Sequence, residues 1–362
     1  MHRAYMRRAL GLAALGLGTT APNPAVGAVV VRDGRIVGEG YHRAAGQPHA
    51  EPIALQAAGS LARGADLYVT LEPCCHHGRT PPCTEAILEA GIRRVFYACA
   101  DPDPRCSGCG HAALVQGGCE VFVGPMTHGA TYLNRAYSKH KATGLPYLTL
   151  KMAMTADGRV ATDDGESKWI TGPEARRVVH TMRSHAQVLM VGVGTMLADD
   201  PSLTTRIDGE GHHCDALIVD TSARTPATAR ALNRDDGTKC SIACTEAALP
   251  AAENLRTAGA ELLALPEADG HVDLSALMRE LGNRDIMSVL CEGGPTLAGA
   301  LIAEQLVDEV VLFIAPKLLG QGPSPLRDIG VETLSGALEL DVRETRMVGA
   351  DMMLRGTLCS RA

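Results

Sequence analysis

Two short segments of the sequence carry side chains that could bind a metal ion. His49 and Glu51 stand in "PHAE", and residues 73–83, "PCCHHGRTPPC", hold three cysteines and two histidines. A tetrahedral zinc site uses four ligands, and a catalytic one uses three protein ligands and leaves the fourth position to water. The second segment therefore offers more ligands than one zinc ion needs.

The residue types favour a catalytic zinc ion. One imidazole and two thiolates can hold the ion, which lowers the pKa of a bound water to about 7 and gives hydroxide at neutral pH. Glu51, a carboxylate close to His49 in the sequence, can then shuttle protons, and His-x-Glu followed by Pro-Cys is typical of zinc-dependent nucleobase deaminases. The alternative is a structural zinc site or no metal, but a closed structural site would use a fourth thiolate and would not need Glu51. We therefore predict one catalytic zinc ion per chain.

The second thiolate ligand is harder to identify from the sequence, because the usual Pro-Cys-x-x-Cys spacing is absent. Cys74 and His77 would reproduce the short spacing, whereas Cys74 and Cys83 have eight residues between them. Cys83 stands just before the predicted helix "TEAILEAG", where free N–H groups and the helix dipole stabilise a thiolate. This argument favours Cys83 and leaves Cys75 and His77 as residues that fill or orient the loop.

The elements that must position these residues alternate between strand and helix. Two apolar runs joined at Asp33-Gly34 predict a β-hairpin over "VGAVVVRDGRIVGEGYH". A helix over "PHAEPIALQAAG", a strand over "ADLYVTLEP", a helix over "CTEAILEAG" and strands in "IRRVFYACAD" and "LVQGGCEVFVG" follow. This alternation indicates an α/β layered domain. "CSGCGH", residues 106–111, lacks a second Cys-x-x-Cys and is predicted to be a loop with incidental thiols.

The N-terminal segment has two interpretations. Early arginines followed by a small apolar run resemble a signal peptide. Apolar residues nevertheless recur at three- and four-residue spacing, which is typical of an amphipathic helix, at Tyr5, Met6, Ala9, Leu10, Ala13 and Leu17. We favour a first helix of the folded protein and expect a cytoplasmic location.

The second part of the chain begins after the breaker Thr143-Gly144-Leu145-Pro146, so we predict domains over 1–144 and 145–362. Strands are predicted at Tyr147 and in "AQVLMVGVGT", "ALIVDTS", "CSIACT", "IMSVLCEGG" and "EVVLFIAP". The turn "EGGPT" after a buried strand could bind a phosphate at a helix N-terminus, or it could be an ordinary tight turn. "VGVGTM" lacks the later glycine of a dinucleotide fingerprint.

Composition restricts the function classes. The chain has 362 residues, 46% hydrophobic and 21% charged, with a formal net charge of −7 and no basic stripe. Its aromatic content of 3% leaves few platforms on which bases could stack. No apolar run is long enough to span a membrane. We therefore expect a small-molecule substrate, with neither nucleic acid nor membrane as partner.

A resemblance extends these inferences in the first half. "PNPAVGAVVV", "GEGYH", "PHAE", "TLEPC", "HHGRTPPC" and "DPDP" occur in this order and resemble the deaminase domain of the bifunctional deaminase/reductase of riboflavin biosynthesis. The family interval Cys-x8-Cys matches the chain, although the family more often has Ser in place of Cys75. The resemblance implies a cytidine-deaminase-like three-layer fold and zinc on His49, Cys74 and Cys83, with Glu51 as proton shuttle. It also implies substrate contacts from Asn23, His42, His76 and Arg79.

Three of these four substrate residues also have a simpler interpretation on the sequence alone. Asn23 lies between two prolines and could be a turn residue, while His42 could lie on the surface at a strand end. Arg79 could be a solvated charge of a loop.

The second half resembles the reductase domain of the same family, which has a dihydrofolate-reductase-like fold. The matching segments are "LKMAMTADGRVAT", "GESKWIT", "ADDPSLTTR", "IVDT", "EGGPTLAGAL" and "IAPKLLG". The resemblance implies that NADPH contacts Ala153, Trp169, Thr195, Asp199, Thr221, Gly294, Pro295 and Thr296. It implies substrate contacts from Lys151, Ser167, Arg183, Leu203, Arg206 and Glu292. On the residues alone, Arg183 and Arg206 could clamp a phosphate or be solvated. Asp199 could be a general acid or part of a turn that ends a helix, and Trp169 could be a core aromatic.

The resemblance implies two successive reactions. Zinc hydroxide deaminates 2,5-diamino-6-(5-phosphoribosylamino)pyrimidin-4(3H)-one, and NADPH then reduces the ribosyl group to give 5-amino-6-(5-phosphoribitylamino)uracil. We expect a homo-oligomer. One alternative is a nucleotide or tRNA deaminase with an unrelated second domain, which predicts Pro-Cys-x-x-Cys and a basic face. The other is a zinc-stabilised binding protein, in which Glu51→Gln would leave function intact.

Overall fold

The computed structural model describes residues 1–77, 81–104, 106–207 and 212–359. The chain divides into two compact units, Met1–Gly144 and Leu145–Ala362, each with its own sheet and core. Within the described ranges, no helix combines the length and apolar character needed to cross a membrane.

The first unit is built on a five-stranded sheet of order β2-β1-β3-β4-β5. Strand β1 runs antiparallel to β2 and β3, whereas β3, β4 and β5 are parallel. Its elements are α1 (His2–Ala14), β1 (Gly27–Arg32), β2 (Arg35–Tyr41), α2 (Ala50–Ala58), β3 (Asp66–Val69), α3 (Cys83–Glu89), β4 (Arg94–Tyr97), α4 (Cys109–Gln116), β5 (Glu120–Val123), α5 (Thr127–Leu133) and α6 (Arg135–Thr143), with a 3-10 turn over Gly59–Ala62 after α2.

Side chains of strand β1 alternate between two cores, which gives the unit three layers. Ala28 and Val30 of β1 pack with apolar residues of α2, α3 and α4. Val29 and Val31 face the other side and pack with α1 and α5. The predicted hairpin at Asp33-Gly34 is confirmed, and so is the predicted first helix, whose Met6, Ala9 and Ala13 are fully buried.

Two glycines of β2 let helix α2 lie very close to the sheet. A Cβ atom added to Gly38 would lie 2.2 Å from the Ala54 carbonyl oxygen, and one added to Gly40 would lie 2.5 Å from that of Ala50. No side chain fits in such a gap. The glycines of "GEGYH" therefore fix the position of α2, whose N-terminus carries His49 and Glu51.

The second unit has a nine-stranded sheet of order β10-β9-β8-β7-β13-β6-β14-β16-β15. The strands from β10 to β14 in this order are parallel, and β16 and β15 add an antiparallel edge. The elements are β6 (Tyr147–Thr155), α7 (Pro173–His185), β7 (Val188–Gly192), α8 (Val193–Asp199), β8 (Asp215–Val219), β9 (Cys240–Thr245), α9 (Leu249–Thr257), β10 (Glu261–Leu265), β11 (Glu267–Ala268), β12 (His271–Val272), α10 (Leu274–Asn283), β13 (Ser288–Cys291), α11 (Pro295–Ala303), β14 (Glu309–Ala315), β15 (Leu340–Val348) and β16 (Asp351–Leu358), with 3-10 turns over Glu246–Ala248 and Leu334–Gly336.

Helices cover both faces of this sheet. Helices α10 and α11 pack on one face, and α7, α8 and α9 pack on the other. The strands predicted from apolar runs are all present, whereas β10 and the hairpin β15–β16 were not predicted. Most residues of β15 are exposed, so this edge strand lacks the apolar run that marks a buried strand. The parallel strands bring the carboxyl ends of β6, β7, β8 and β13 to one edge, where ligands bind in such sheets.

We expect Gly38→Ala to lower the stability of the first unit by about 1–3 kcal/mol, because the new methyl group would force α2 away from β2. Hydrogen exchange measured by mass spectrometry would show faster exchange of the β1 and β2 amides, with β6 and β14 unchanged. Gly11→Ala in α1 is the matched control, since no atom lies within 4 Å of the added Cβ. Equal exchange in both variants would contradict the close-packing argument.

Candidate active sites

Three predicted metal ligands meet at the N-termini of two helices. The ligand atoms of His49, Cys74 and Cys83 all lie within 4.8 Å of one another. His49 Nδ1 is 3.2 Å from Cys83 Sγ and 3.6 Å from Cys74 Sγ. His49 caps α2, and Cys83 is the first residue of α3. In the described part of the chain, this is the one group of three His, Cys, Asp or Glu side chains close enough to share an ion.

The electrostatics of the group fit a zinc ion. The Cys83 thiol donates to Cys74 and lowers the pKa of Cys74 to about 4, and the same contact raises the pKa of Cys83. The Cys83 backbone N–H also donates to Cys74 Sγ, at 3.3 Å. Cys74 in turn raises the pKa of His49. One imidazole and two thiols, at least one of them ready to ionise, form a donor set that zinc prefers.

Glu51 lies beside this group in the first turn of α2. Its side chain is buried, and burial raises the pKa of its carboxyl to about 7. The carboxylate contacts the Cys83 thiol but is not one of the three grouped ligands. It therefore stands beside the three candidate ligands as a buried carboxyl that could carry a proton.

A cavity of about 320 Å³ opens above these residues and contains three of the four predicted substrate contacts. Asn23, His42 and His76 line it together with His49, Glu51 and Cys74. The fourth predicted contact, Arg79, lies outside the described residues.

The His42 side chain is fixed by two hydrogen bonds. Its Nδ1 is 3.1 Å from the Pro48 carbonyl oxygen, and its Nε2 is 3.1 Å from Asn23 Nδ2. A carbonyl oxygen can only accept, so Nδ1 carries the proton and Nε2 accepts from the Asn23 amide. His42 is only 2% exposed and burial lowers its pKa, so it is not the surface residue that the sequence left open.

The cavity also contains charged and hydrogen-bonding residues that were not predicted. Asp101, Asp103, Tyr137 and Lys141 line it, and Asp101 Oδ1 accepts from the Asp103 N–H at 2.9 Å and the Tyr137 hydroxyl at 3.3 Å. Lys141 Nζ lies 3.8 Å from Asp103 Oδ2. The two aspartates belong to "DPDP" directly after a strand, a signal that could have suggested them. Tyr137 and Lys141 lie on α6 and have no local signal.

The prediction for "CSGCGH" was wrong. Cys109 begins helix α4, and Cys106 Sγ lies 3.4 Å from His76 Nδ1 and lines the cavity. Both carboxylate oxygens of Glu72 accept backbone N–H groups at the start of this helix, from Gly108 and His111 at 3.0 Å each. Residues 106–108 form turns and the helix begins at Cys109, where the buried carboxylate of Glu72, three residues after the end of β3, accepts the first N–H groups.

The two loop residues next to the metal group have other contacts. The Cys75 thiol contacts Cys109 rather than the metal group. His77 Nε2 lies 3.9 Å from a carboxylate oxygen of Glu85.

In the second unit, a cluster of charged side chains forms where β6, β13 and α7 meet. Arg183 donates to both carboxylate oxygens of Glu292, at 2.7 and 3.0 Å, and its third nitrogen donates to the Thr204 carbonyl oxygen at 2.8 Å. Lys151 Nζ lies 4.0 Å from Glu292. The sequence left open whether Arg183 clamps a phosphate or is solvated. In the structure, its two-pronged contact is made with a carboxylate of the protein.

This cluster determines the charge states of its members. Burial alone would raise the pKa of Glu292, but Arg183 and Lys151 outweigh it and lower that pKa to about 2. Burial also lowers the pKa of Lys151. His180 lies in the same region, and burial together with Arg183 and Arg206 lowers its pKa to about 4. His180 was not predicted, because a lone histidine on an amphipathic helix carries no signal.

The other predicted residues of this unit lie around the carboxyl edge of its sheet. Gly294 caps α11 with Pro295 in the first helical position, and a Cβ atom on Gly294 would meet only Thr195 Oγ1, at 3.7 Å. Asp199 ends α8 and pairs with Lys168 at 3.1 Å. Thr221 Oγ1 accepts from the Val272 N–H at 3.3 Å.

Trp169 is 60% exposed, so it is not a core aromatic. Arg176 lies 4.5 Å from the centre of its ring, and Lys317 donates to its carbonyl oxygen at 2.7 Å.

The remaining predicted residues differ in exposure. Ala153 and Ser167 are half-buried, whereas Arg206 and Thr296 are exposed. Leu203 is 3% exposed and belongs to a core cluster, so its side chain is not available to a ligand.

Comparison with known proteins gives the family. Residues 1–99 match the cytidine and deoxycytidylate deaminase zinc-binding region, and residues 146–354 match the RibD C-terminal domain. Riboflavin biosynthesis protein RibD of Escherichia coli (strain K12) is 44% identical, over 97% of this chain and 97% of its own length. The chain belongs to the RibD family. The predicted recognition and fold class are thereby confirmed, and the alternative of a deaminase with an unrelated second domain is wrong.

Solved structures of RibD proteins are similar over nearly the whole chain. Acinetobacter baumannii RibD (form 1) matches with a TM-score of 0.87 at 36% identity, covering 99% of both chains. A diaminohydroxyphosphoribosylaminopyrimidine deaminase/5-amino-6-(5-phosphoribosylamino)uracil reductase from Thermotoga maritima matches with a TM-score of 0.87 at 34% identity, again over 99% of both chains. The chain therefore has a RibD fold from end to end, and it is an enzyme of the deaminase/reductase class.

We expect Cys83→Ser to lower zinc affinity by more than about 100-fold, because it removes a ligand rather than a residue that orients one. Cys75→Ser, the matched control, should retain zinc, since Cys75 lies outside the ligand group. Mass spectrometric metal analysis after dialysis, with chelator competition, measures both. Loss of zinc from Cys75→Ser with retention in Cys83→Ser would show that the other thiol binds the metal.

We expect Glu292→Gln to destabilise the second unit by about 3–5 kcal/mol at neutral pH, because Arg183 and Lys151 lose their buried counter-charge. The Glu292 pKa is about 2 in the folded chain against 4.5 ordinarily, so its stabilisation is present above 4.5 and is lost as the pH falls towards 2. The difference in unfolding free energy between wild type and variant should shrink over that range.

Urea unfolding at a series of pH values measures the Glu292 effect. The control is Glu280→Gln, whose carboxylate is partly exposed and pairs with Arg284, and we expect it to change stability by less than about 0.5 kcal/mol. A Glu292→Gln difference that stays constant between pH 4.5 and pH 2 would contradict the assigned charge state.

Proposed function

We propose that this chain catalyses two successive steps of riboflavin biosynthesis. The first unit deaminates 2,5-diamino-6-(5-phosphoribosylamino)pyrimidin-4(3H)-one. The second unit reduces the ribosyl group and yields 5-amino-6-(5-phosphoribitylamino)uracil. The observation that carries the proposal is the meeting of His49, Cys74 and Cys83 beside the buried carboxyl of Glu51, in a chain that matches RibD proteins over its full length.

In the deaminase unit, the protein would hold one zinc ion and orient the pyrimidine. Zinc bound by His49, Cys74 and Cys83 would supply a Lewis acid that lowers the pKa of a water molecule. Glu51 accepts the proton of the attacking water and returns it to the leaving ammonia. Asn23 and His76 contact the substrate from the cavity wall, and His42 holds the Asn23 amide in one orientation.

We also assign Arg79 to the substrate, on the family resemblance alone. Asp101, Asp103 and Lys141 extend the polar wall of the cavity, which suits a ligand with several hydroxyl and amino groups.

In the reductase unit, the protein would position NADPH against the phosphorylated sugar. NADPH supplies a hydride when it is bound. Residues near the carboxyl edge of the sheet would hold it, namely Ala153, Trp169, Thr195, Asp199, Thr221, Gly294, Pro295 and Thr296. The open N-terminus of α11 suits a phosphate, since its first N–H groups lack helical partners.

The sugar phosphate would lie over the charged cluster of the second unit. We assign contacts with it to Lys151, Ser167, Arg183, Arg206, Glu292 and the backbone of Leu203. Lys151, held 4.0 Å from Glu292, lies closest to the reacting sugar in this arrangement. Arg206 is exposed and provides the charge for the phosphate.

We also propose a cytoplasmic homo-oligomer that acts on this small molecule and not on nucleic acid or membrane. Cysteines of both units, among them Cys74, Cys83 and Cys291, are thiols without a disulfide bond, as suits a reducing compartment. Exposed apolar side chains at Leu334, Val342 and Met347 around the edge strand β15 suit contact between copies of the chain.

The decisive experiment uses Glu51→Gln and follows two signals. We expect wild type to release ammonia from the diaminopyrimidine and then to oxidise NADPH. Glu51→Gln should retain zinc and lower the deamination rate by about 100-fold or more, because the proton carrier is lost. It should still reduce 5-amino-6-(5-phosphoribosylamino)uracil at the wild-type rate.

The matched control for this experiment is Glu85→Gln, an exposed carboxylate on α3, which should deaminate normally. Deamination that survives in Glu51→Gln would refute the assigned role of Glu51. If zinc-loaded wild type gave neither ammonia nor NADPH oxidation, the proposed function itself would fail.

A further inference from the structure

Helix α7 holds an irregular segment of the second unit at two points. His180 Nδ1 lies 3.1 Å from the Arg206 backbone nitrogen, and Arg183 donates to the Thr204 carbonyl oxygen at 2.8 Å. Both helix residues are three positions apart and so lie on the same face of α7. The segment they hold, residues 200–207, has no helix or strand hydrogen bonding of its own.

The chemistry of the contact fixes the protonation of the His180 ring. A backbone N–H can only donate, so His180 Nδ1 must be the unprotonated nitrogen and Nε2 carries the ring's proton. A protonated ring would have no lone pair at Nδ1 and could not accept from Arg206. The charges of Lys151, Arg183, Arg206 and Glu292 all act on His180, and burial with the net positive surroundings favours the neutral ring.

The position of this segment determines where the Arg206 side chain lies, because some of its residues are buried and others face solvent. Leu203 and Thr205 are buried and anchor the segment, while Arg206 is exposed. The sequence suggested that Arg183 and Arg206 could together bind a phosphate. The Arg183 guanidinium already donates to Glu292 and Thr204, so Arg206 is the member of this pair that can move towards a ligand. Pinning the Arg206 backbone nitrogen reduces the backbone entropy that this segment loses when the guanidinium binds an anion.

We propose that His180 is a positioning residue for the phosphorylated substrate: through the Arg206 N–H it sets the place from which the Arg206 guanidinium reaches the phosphate group. His180 itself makes no contact with the reacting atoms in this arrangement. The inference rests on the proposed function, in which Arg206 binds the substrate of the reductase unit.

The test compares variants at His180 in steady-state reduction of 5-amino-6-(5-phosphoribosylamino)uracil. We expect His180→Leu to raise KM for this substrate about tenfold, since a neutral hydrogen bond that orders a charged contact is lost. KM for NADPH and kcat should stay within about twofold of wild type. Asn has a carbonyl oxygen the same number of bonds from Cα as Nδ1 of His, so His180→Asn should restore KM, and His180→Gln should not.

Two further variants separate the inference from the proposed function. Arg206→Ala should raise the substrate KM at least as much as His180→Leu, and the double variant should be no worse than Arg206→Ala. Thr181→Leu, at the neighbouring exposed position of α7, is the control and should leave KM unchanged.

An unchanged KM in His180→Leu, or a KM in His180→Asn as high as in His180→Leu, overturns the inference while leaving the proposed function intact. An unchanged KM in Arg206→Ala overturns the assignment of Arg206 to the substrate, and the inference with it. A rise in KM for NADPH equal to that for the substrate would indicate general damage to the unit and would also overturn the positioning role.

Discussion

The group of His49, Cys74 and Cys83 forms because two helices begin at the same place. Helix α2 starts after His49, and helix α3 starts at Cys83, whose backbone N–H donates to the sulfur of Cys74. A backbone N–H and a thiol donate to that sulfur, and both favour the thiolate. Neighbouring residues stabilise this arrangement. Gly38 and Gly40 let α2 pack closely on the sheet, and Glu72 caps the helix that borders the cavity.

The second unit handles charge differently, because its central group is a carboxylate buried among cations. Glu292 follows a buried strand and its side chain is only 12% exposed, so its ionised form depends on the Arg183 fork and Lys151. The same arginine holds the segment that carries Arg206. One ion pair thus connects the end of β13, helix α7 and the loop after α8 into a single polar framework.

Much of this could be predicted from the sequence. The hairpin at Asp33-Gly34, the helix after His49 and the parallel strands of the second unit follow from turn dipeptides and apolar runs. The edge strand β15 was missed because an exposed strand lacks such a run. Asp101 and Asp103 had a signal in "DPDP" that was not used, whereas Tyr137, Lys141 and His180 had none, because a helix residue gains its role only from what the fold brings opposite it.

By itself, the sequence determined which chemistry was available. Residue types and their order supply one histidine, two thiols and a neighbouring glutamate. The chemical nature of these side chains decides which of them can bind zinc. Only the tertiary structure decided which groups meet. Cys75 and Cys74 are chemically identical neighbours, yet one contacts Cys109 and the other His49 and Cys83. Arg183 likewise contacts a carboxylate instead of solvent. The direction in which a side chain points and its distance from a partner depend on packing between segments far apart in the chain, and no local pattern encodes them.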